Sequence, residues 1–127
     1  MDKAGLKKIF TQNFIDELLP LNLSDQFFEA LYGDASEGAY DINLKFVSGD
    51  SRQVELAFYL VQRPEKCLAC SLTYGLPNVF SRHPLINIKN MVKKIEKKGV
   101  KIKAWHLGNT KEKSSSLHTI ALCLDLE

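Results

Sequence analysis

Tyr40-Asp41-Ile42-Asn43-Leu44-Lys45-Phe46 alternates apolar with polar side chains, and after Ser48-Gly49-Asp50-Ser51 the run Val54, Leu56, Phe58, Leu60 repeats that period of two. Side chains two residues apart share a face of a strand, so these runs predict a hairpin with one face buried. The turn residues between them supply the reversal. The inner faces of both strands then contribute to one core.

Upstream the period is helical. Leu6, Ile9, Phe10, Phe14 and Leu18 recur at helix spacing up to Pro20, which predicts an amphipathic helix within about residues 4–19. Ser24 reads as the N-cap of a second helix presenting Phe27, Phe28 and Leu31, with Gly33 to end it. Downstream of the hairpin, Arg63-Pro64-Glu65-Lys66 reads as a turn. Leu68, Cys70, Leu72 and Tyr74 alternate as a third strand that ends at Gly75-Leu76-Pro77.

Pro77 to Pro84 is a connector, after which Asn87 caps a helix whose apolar stripe is Ile88, Met91, Val92 and Ile95 and whose stop is Gly99. Val100–Leu107 and Leu117–Leu126 are two closing strands, and the polar stretch Gly108–Ser116 reads as an exposed loop between them. The order ααβββαββ predicts a single α+β domain over residues 1–127. Its expected form is a two-layer sandwich, a five-stranded mostly antiparallel sheet with helices packed on it.

Composition sets the class. The chain has 127 residues, 45% of them hydrophobic and 25% charged, which suits one folded domain rather than a disordered chain. No apolar run approaches the roughly 20 residues that span a bilayer, and the N-terminus has neither an apolar signal core nor a small-residue cleavage site. Three cysteines without a disulfide-framework spacing agree with a reducing compartment, so the expected location is cytoplasmic, with no membrane partner. The net charge of +2 conceals an asymmetry: residues 1–63 hold 6 Lys/Arg against 10 Asp/Glu, and residues 64–127 hold 11 against 5. The lysines between Lys89 and Lys103 could attract nucleic acid. Helix-end lysines also complement the macrodipole and keep a surface solvated, and few aromatic residues interleave with these, so nucleic acid is not the expected partner.

Cys67-Leu-Ala-Cys70 carries the chain's most distinctive spacing. Such a pair serves zinc, redox chemistry or plain packing. Zinc needs two further ligands, and His83, His106, His118 and Cys123 are the candidates, with Cys67, Cys70 and His83 the set considered. Arg63 and Lys66 could lower a thiol pKa nearby. A strand beginning at Cys67, however, would point the two thiols to opposite faces. No nucleophile elbow, calcium loop, phosphate loop or dinucleotide fingerprint occurs. The expectation is therefore a non-enzymatic protein without a cofactor, the alternative being a zinc- or thiol-dependent protein that uses Cys67 and Cys70.

Ala57, Tyr59, Val61, Ala69, Trp105 and Leu107 fall on strand positions opposite the main apolar set. A sheet with one solvated face should be more polar there, so either the N-terminal helix or another molecule covers it. This second face and the connector supply the expected ligand contacts: Tyr59, Tyr74, Phe80, Arg82, His83 and Trp105. The partner is a protein or small ligand, and a homodimer is favoured over an internal cover.

The blocks Ala30-Leu31-Tyr32-Gly33-Asp34 with Gly38-Ala39-Tyr40-Asp41-Ile42, and Arg63-Pro64-Glu65-Lys66-Cys67-Leu68-Ala69-Cys70 with Leu72-Thr73-Tyr74-Gly75-Leu76-Pro77, joined by His83-Pro84, resemble a family of small uncharacterised bacterial proteins. Some of its members carry a homeobox-type name. A homeodomain is three helices with a basic recognition helix, whereas this chain spends much of its length on strand patterns. The resemblance implies no activity. At the level of element order alone, a helix, three strands, a helix and two strands is similar to the small dimeric chaperones of bacterial secretion systems, which bind extended segments of a partner.

Overall fold

The computed structural model describes residues 3–20, 23–33, 40–66, 77, 80–81 and 86–127. Three helices, α1 (Lys3–Ile9), α2 (Gln12–Leu18) and α3 (Leu23–Tyr32), precede the hairpin of β1 (Tyr40–Gly49) and β2 (Gln53–Gln62). Helix α4 (Ile88–Glu96) then leads into a second hairpin, β3 (Ile102–Ser114) and β4 (Leu117–Leu126). The fold is α+β. Its four described strands form an antiparallel sheet in the order β1-β2-β4-β3, so the last strand inserts beside β2 and the two hairpins share one sheet. The strand expected over Leu68–Tyr74 lies outside the described residues.

The first hairpin forms as its alternation requires. Tyr40 opposes Gln62 and Phe46 opposes Leu56, and Val47 is an extra residue that kinks β1 before Gly49 meets Val54. Asp50 makes the turn: its Oδ1 accepts from the backbone N–H of Arg52 at 2.8 Å and of Gln53 at 3.0 Å. Those two donors hold the Asp50 carboxyl below its ordinary value, chiefly the one from Arg52. A carboxylate whose folded pKa is depressed adds stability that is present above its unfolded pKa and is lost as pH falls through the folded value. Asp50→Asn keeps an acceptor but does not titrate. The stability difference between wild type and Asp50→Asn is therefore expected to shrink as pH drops from about 5 to below 3.8, the ordinary value. Urea unfolding at a series of pH values measures this, and a difference independent of pH would contradict the turn's role.

The N-terminal helical pattern breaks where a single helix is expected. Thr11 takes an extended conformation (φ −75°, ψ 163°) and its hydroxyl accepts from Phe14 N–H at 3.3 Å, so it ends the first segment and caps α2. Splitting the helix lets Phe10 and Phe14 fold towards one site: Phe10 stacks on Phe46 of β1 with centroids 5.2 Å apart and lies 5.8 Å from Phe14. Helix α1 approaches β1 closely. A Cβ on Gly49 would stand 2.8 Å from Leu6 Cδ1, which is why a residue without a side chain sits there.

Ser24 does not cap α3; it is the helix's second residue, buried, with its hydroxyl against β1. The Oγ accepts from Ile42 N–H at 2.7 Å and donates to Ile42 C=O at 3.4 Å. Among the described strands β1 lies at the edge of the sheet, so no described strand bonds those two groups. Arg63, just past β2, ties the same corner by pairing with Asp25 of α3 at 2.7 Å and Asp41 of β1 at 2.9 Å, its guanidinium 5.3 Å from the Phe28 ring centroid.

Helix α4 starts and stops as its sequence predicts. Asn87 sits in the left-handed region (φ 44°) and its side chain accepts from Asn90 N–H, and Gly99 at φ 99° follows the helix. Ile88, Met91 and Ile95 are buried. Two lysines here serve packing: Lys94 Nζ of α4 donates to Glu17 C=O in the last turn of α2 at 3.2 Å, and Lys98 Nζ, just past the helix, lies 5.2 Å from the Phe14 ring centroid.

All four of these described helices contribute to one core with the same face of the sheet. That core joins Leu6, Phe14, Phe27, Phe28 and Ile95 to the inward residues of β1, β2 and β4. Phe27, Phe58 and Phe80 meet edge to face at its centre, Phe80 lying 6.0 Å from Phe27 and 5.1 Å from Phe58.

Candidate functional site

The opposite face of the sheet is the candidate site, and its residues follow from register. Across β2 and β4 the outward pairs run Val61–Leu117, Tyr59–Thr119, Ala57–Ala121, Glu55–Cys123 and Gln53–Asp125. On the flanks, β1 places Asn43 beside Tyr59 and Lys45 beside Ala57, while β3 places Lys111 beside Thr119 and His106 beside Cys123. Small side chains occupy the middle. Ala57 and Ala121 form a floor that extends towards Gly108, where a Cβ would lie 3.5 Å from that of Ala121.

Taller residues around this floor leave a depression of about 110 Å³ lined by Val47, Tyr59, Lys111, Lys113, Thr119 and Ala121 together with Glu55 and Ala57. Val47 and Val61, 45% and 38% exposed, are the exposed large hydrophobic residues among those described, and both lie on this face. Apolar surface left to water in that arrangement marks a contact site.

Charge divides the face lengthwise. Lys45 Nζ stands 4.8 Å from the Tyr59 ring centroid, and Lys111 and Lys113 line the same end of the depression. Among the described residues no carboxylate pairs with these three lysines. Asp41, the acid at this end, is neutralised by Arg63. The other end holds Glu55 and Asp125, the latter accepting from Gln53 Nε2 at 3.2 Å. Partial burial pushes the Cys123 thiol up, and the charges of Glu55 and Asp125 push it further, so the thiol stays protonated at neutral pH.

The expected site residues separate in the structure. Tyr59 lines the depression as its strand position predicts. Trp105 and Leu107 do not: they face the helices, opposite Leu124 and Leu122, and pack against the core. A bulge at Lys103, between the pairs Ile102–Leu126 and Ala104–Asp125, inserts one residue and exchanges the two faces from there to Leu107. Phe80 is fully buried against Phe27 and Phe58. Tyr74, Arg82, His83, Cys67 and Cys70 lie outside the described residues.

His106 and His118 lie on adjacent strands but do not approach one another. The same bulge turns His106 outward beside Cys123, while His118 points inward, 1% exposed and in register with Leu60 and Glu112. Arg63, which could have lowered a neighbouring thiol, is engaged by Asp25 and Asp41. Among the described residues no three His, Cys, Asp or Glu side chains group to hold a metal ion.

The stretch Gly108–Ser116, expected as a loop, supplies half of β3, and with it Lys111 and Lys113 of the site. Lysine and serine there read as solvent-exposed, which they are, but an edge strand with an open face satisfies that as well as a loop does. Two rows of alternation, Lys111 and Lys113 against Thr110 and Glu112, were the available signal. No described helix is long and apolar enough to cross a membrane. No family profile, curated protein or solved structure matches the chain.

Proposed function

We propose that this chain is a non-enzymatic, cytoplasmic binding or adaptor domain that takes a protein partner on the open face of its sheet. One observation carries the reading: Val47 and Val61, the exposed large hydrophobics, stand on the one sheet face that no described helix covers, around a floor of Ala57 and Ala121. Side chains this small let a partner's side chains approach the sheet closely, and the unpaired ammonium groups of Lys45, Lys111 and Lys113 favour acidic groups on that partner. The depression is shallow, which fits a protein surface better than an enclosed small ligand.

Ala121→Arg tests the reading, because it fills the depression from a partly exposed position. The variant is expected to keep the wild-type circular dichroism spectrum and to lose protein adducts formed by a photo-reactive residue at Val61. Adducts that persist unchanged would place the contact elsewhere.

A further inference from the structure

We infer that the occupant of the open face is a second copy of this chain, packed face to face with its strands reversed about a two-fold axis that runs along the Ala57–Ala121 row, between the two sheets. This rests on reading that face as a protein interface and names the partner. A two-fold interface must be self-complementary, since each patch meets itself. The face meets that requirement lengthwise. Its lysine end lies on one side of the alanine row, where Lys111 is beside Thr119 and the Lys45 ammonium leans over Tyr59. Its acidic end lies on the other, two residues further along each strand at Glu55 and four at Asp125. An axis along the alanine row, perpendicular to the strands and between the sheets, sets each lysine end over the other copy's acidic end, twice.

The same axis puts small residues against small ones at the centre, where two sheets pack about 10 Å apart. It also carries the Tyr59 of each copy towards the depression of the other. Four strands about 4.8 Å apart and about ten residues long present roughly 600 Å² in projection, close to the ~800 Å² of accessible surface that a stable interface buries on each partner.

The edges of the described sheet are poorly suited to joining two copies. Ser24 occupies the backbone of Ile42 on β1. The β3 edge is broken by irregularities at Lys103, between Leu107 and Thr110, and at Lys113, and lysines at such positions discourage strand addition.

Sedimentation velocity and native mass spectrometry of the full chain test the inference. Wild type is expected to be a dimer, and Lys111→Glu/Lys113→Glu and, separately, Glu55→Lys/Asp125→Lys are each expected to weaken association by about tenfold or more while remaining folded. Mixing the two variants should restore a dimer of mixed mass, because the reversed charges again meet opposite ones. A wild-type monomer up to near-millimolar concentration overturns the inference, as does a dimer unmoved by both variants or two variants that fail to pair when mixed. A monomer whose Val61 probe still captures a different protein overturns self-association alone, and a monomer with no Val61 adduct overturns the protein-interface reading too.

Discussion

Phe58→Ala is expected to cost about 3–5 kcal/mol of folding stability and to lower the melting temperature by roughly 10–20 °C. Phe58 is fully buried on central strand β2, between Leu44 of β1 and Ile120 of β4. Its ring meets Phe80 edge to face, and Phe80 in turn meets Phe27 of α3, so one side chain connects sheet to helix through an aromatic relay. Truncation leaves a hole that neighbours held by a paired strand on each side cannot collapse into, and the cavity adds to the lost transfer energy. A domain of this size has about 5–15 kcal/mol in total, so the variant retains only a fraction of it. Urea denaturation followed by circular dichroism measures the loss, and a cost below about 1 kcal/mol would mean that Phe58 is not at the centre of the core.

Ser24→Ala removes one oxygen and is expected to destabilise the protein by about 1–3 kcal/mol, more than an ordinary hydrogen bond contributes. The reason is what remains behind. Ile42 N–H, on the edge of the sheet and under α3, loses the Oγ that accepts from it at 2.7 Å, and burial denies it water in exchange. Ser24→Thr retains the hydroxyl and should recover part of the loss if the extra methyl is tolerated. Amide hydrogen exchange gives the specific readout: Ile42 should exchange markedly faster in Ser24→Ala, and unchanged protection there would contradict the contact.

The two effects divide along the line of what the sequence makes legible. Phe58 is visible because period two is a property of the strand itself, and Tyr40 to Phe46 and Val54 to Leu60 both express it. Asn87 and Gly99 are visible for the same local reason, a cap and a left-handed stop that depend on a few consecutive residues. Ser24 is different. Before an apolar helical run it looks like a cap, and only the placement of α3 against the edge of β1 gives its hydroxyl another use. Thr11 is an intermediate case, a cap hidden inside a helical period that continues across it.

The site was half legible on the same grounds. Alternation puts Tyr59, Ala57 and Val61 on the second face because β2 runs without interruption. It assigns Trp105 and Leu107 there too, and the bulge at Lys103 reverses them; an inserted residue leaves no trace in a pattern whose next apolar pair fits either face. What that reversal removes from the face in aromatic surface, the continuation of β3 to Ser114 replaces with Lys111 and Lys113. The face thereby changes from the apolar patch expected into one with a small-residue centre and separated charges.

The account turns on that face being a protein contact, and a photo-reactive amino acid at Val61, compared with one at exposed Glu29 on α3, tests it most directly. Irradiation in the native host is expected to give discrete protein adducts from position 61, lost in Ala121→Arg, and none from position 29. Equal labelling at both positions, or none at 61, would contradict it.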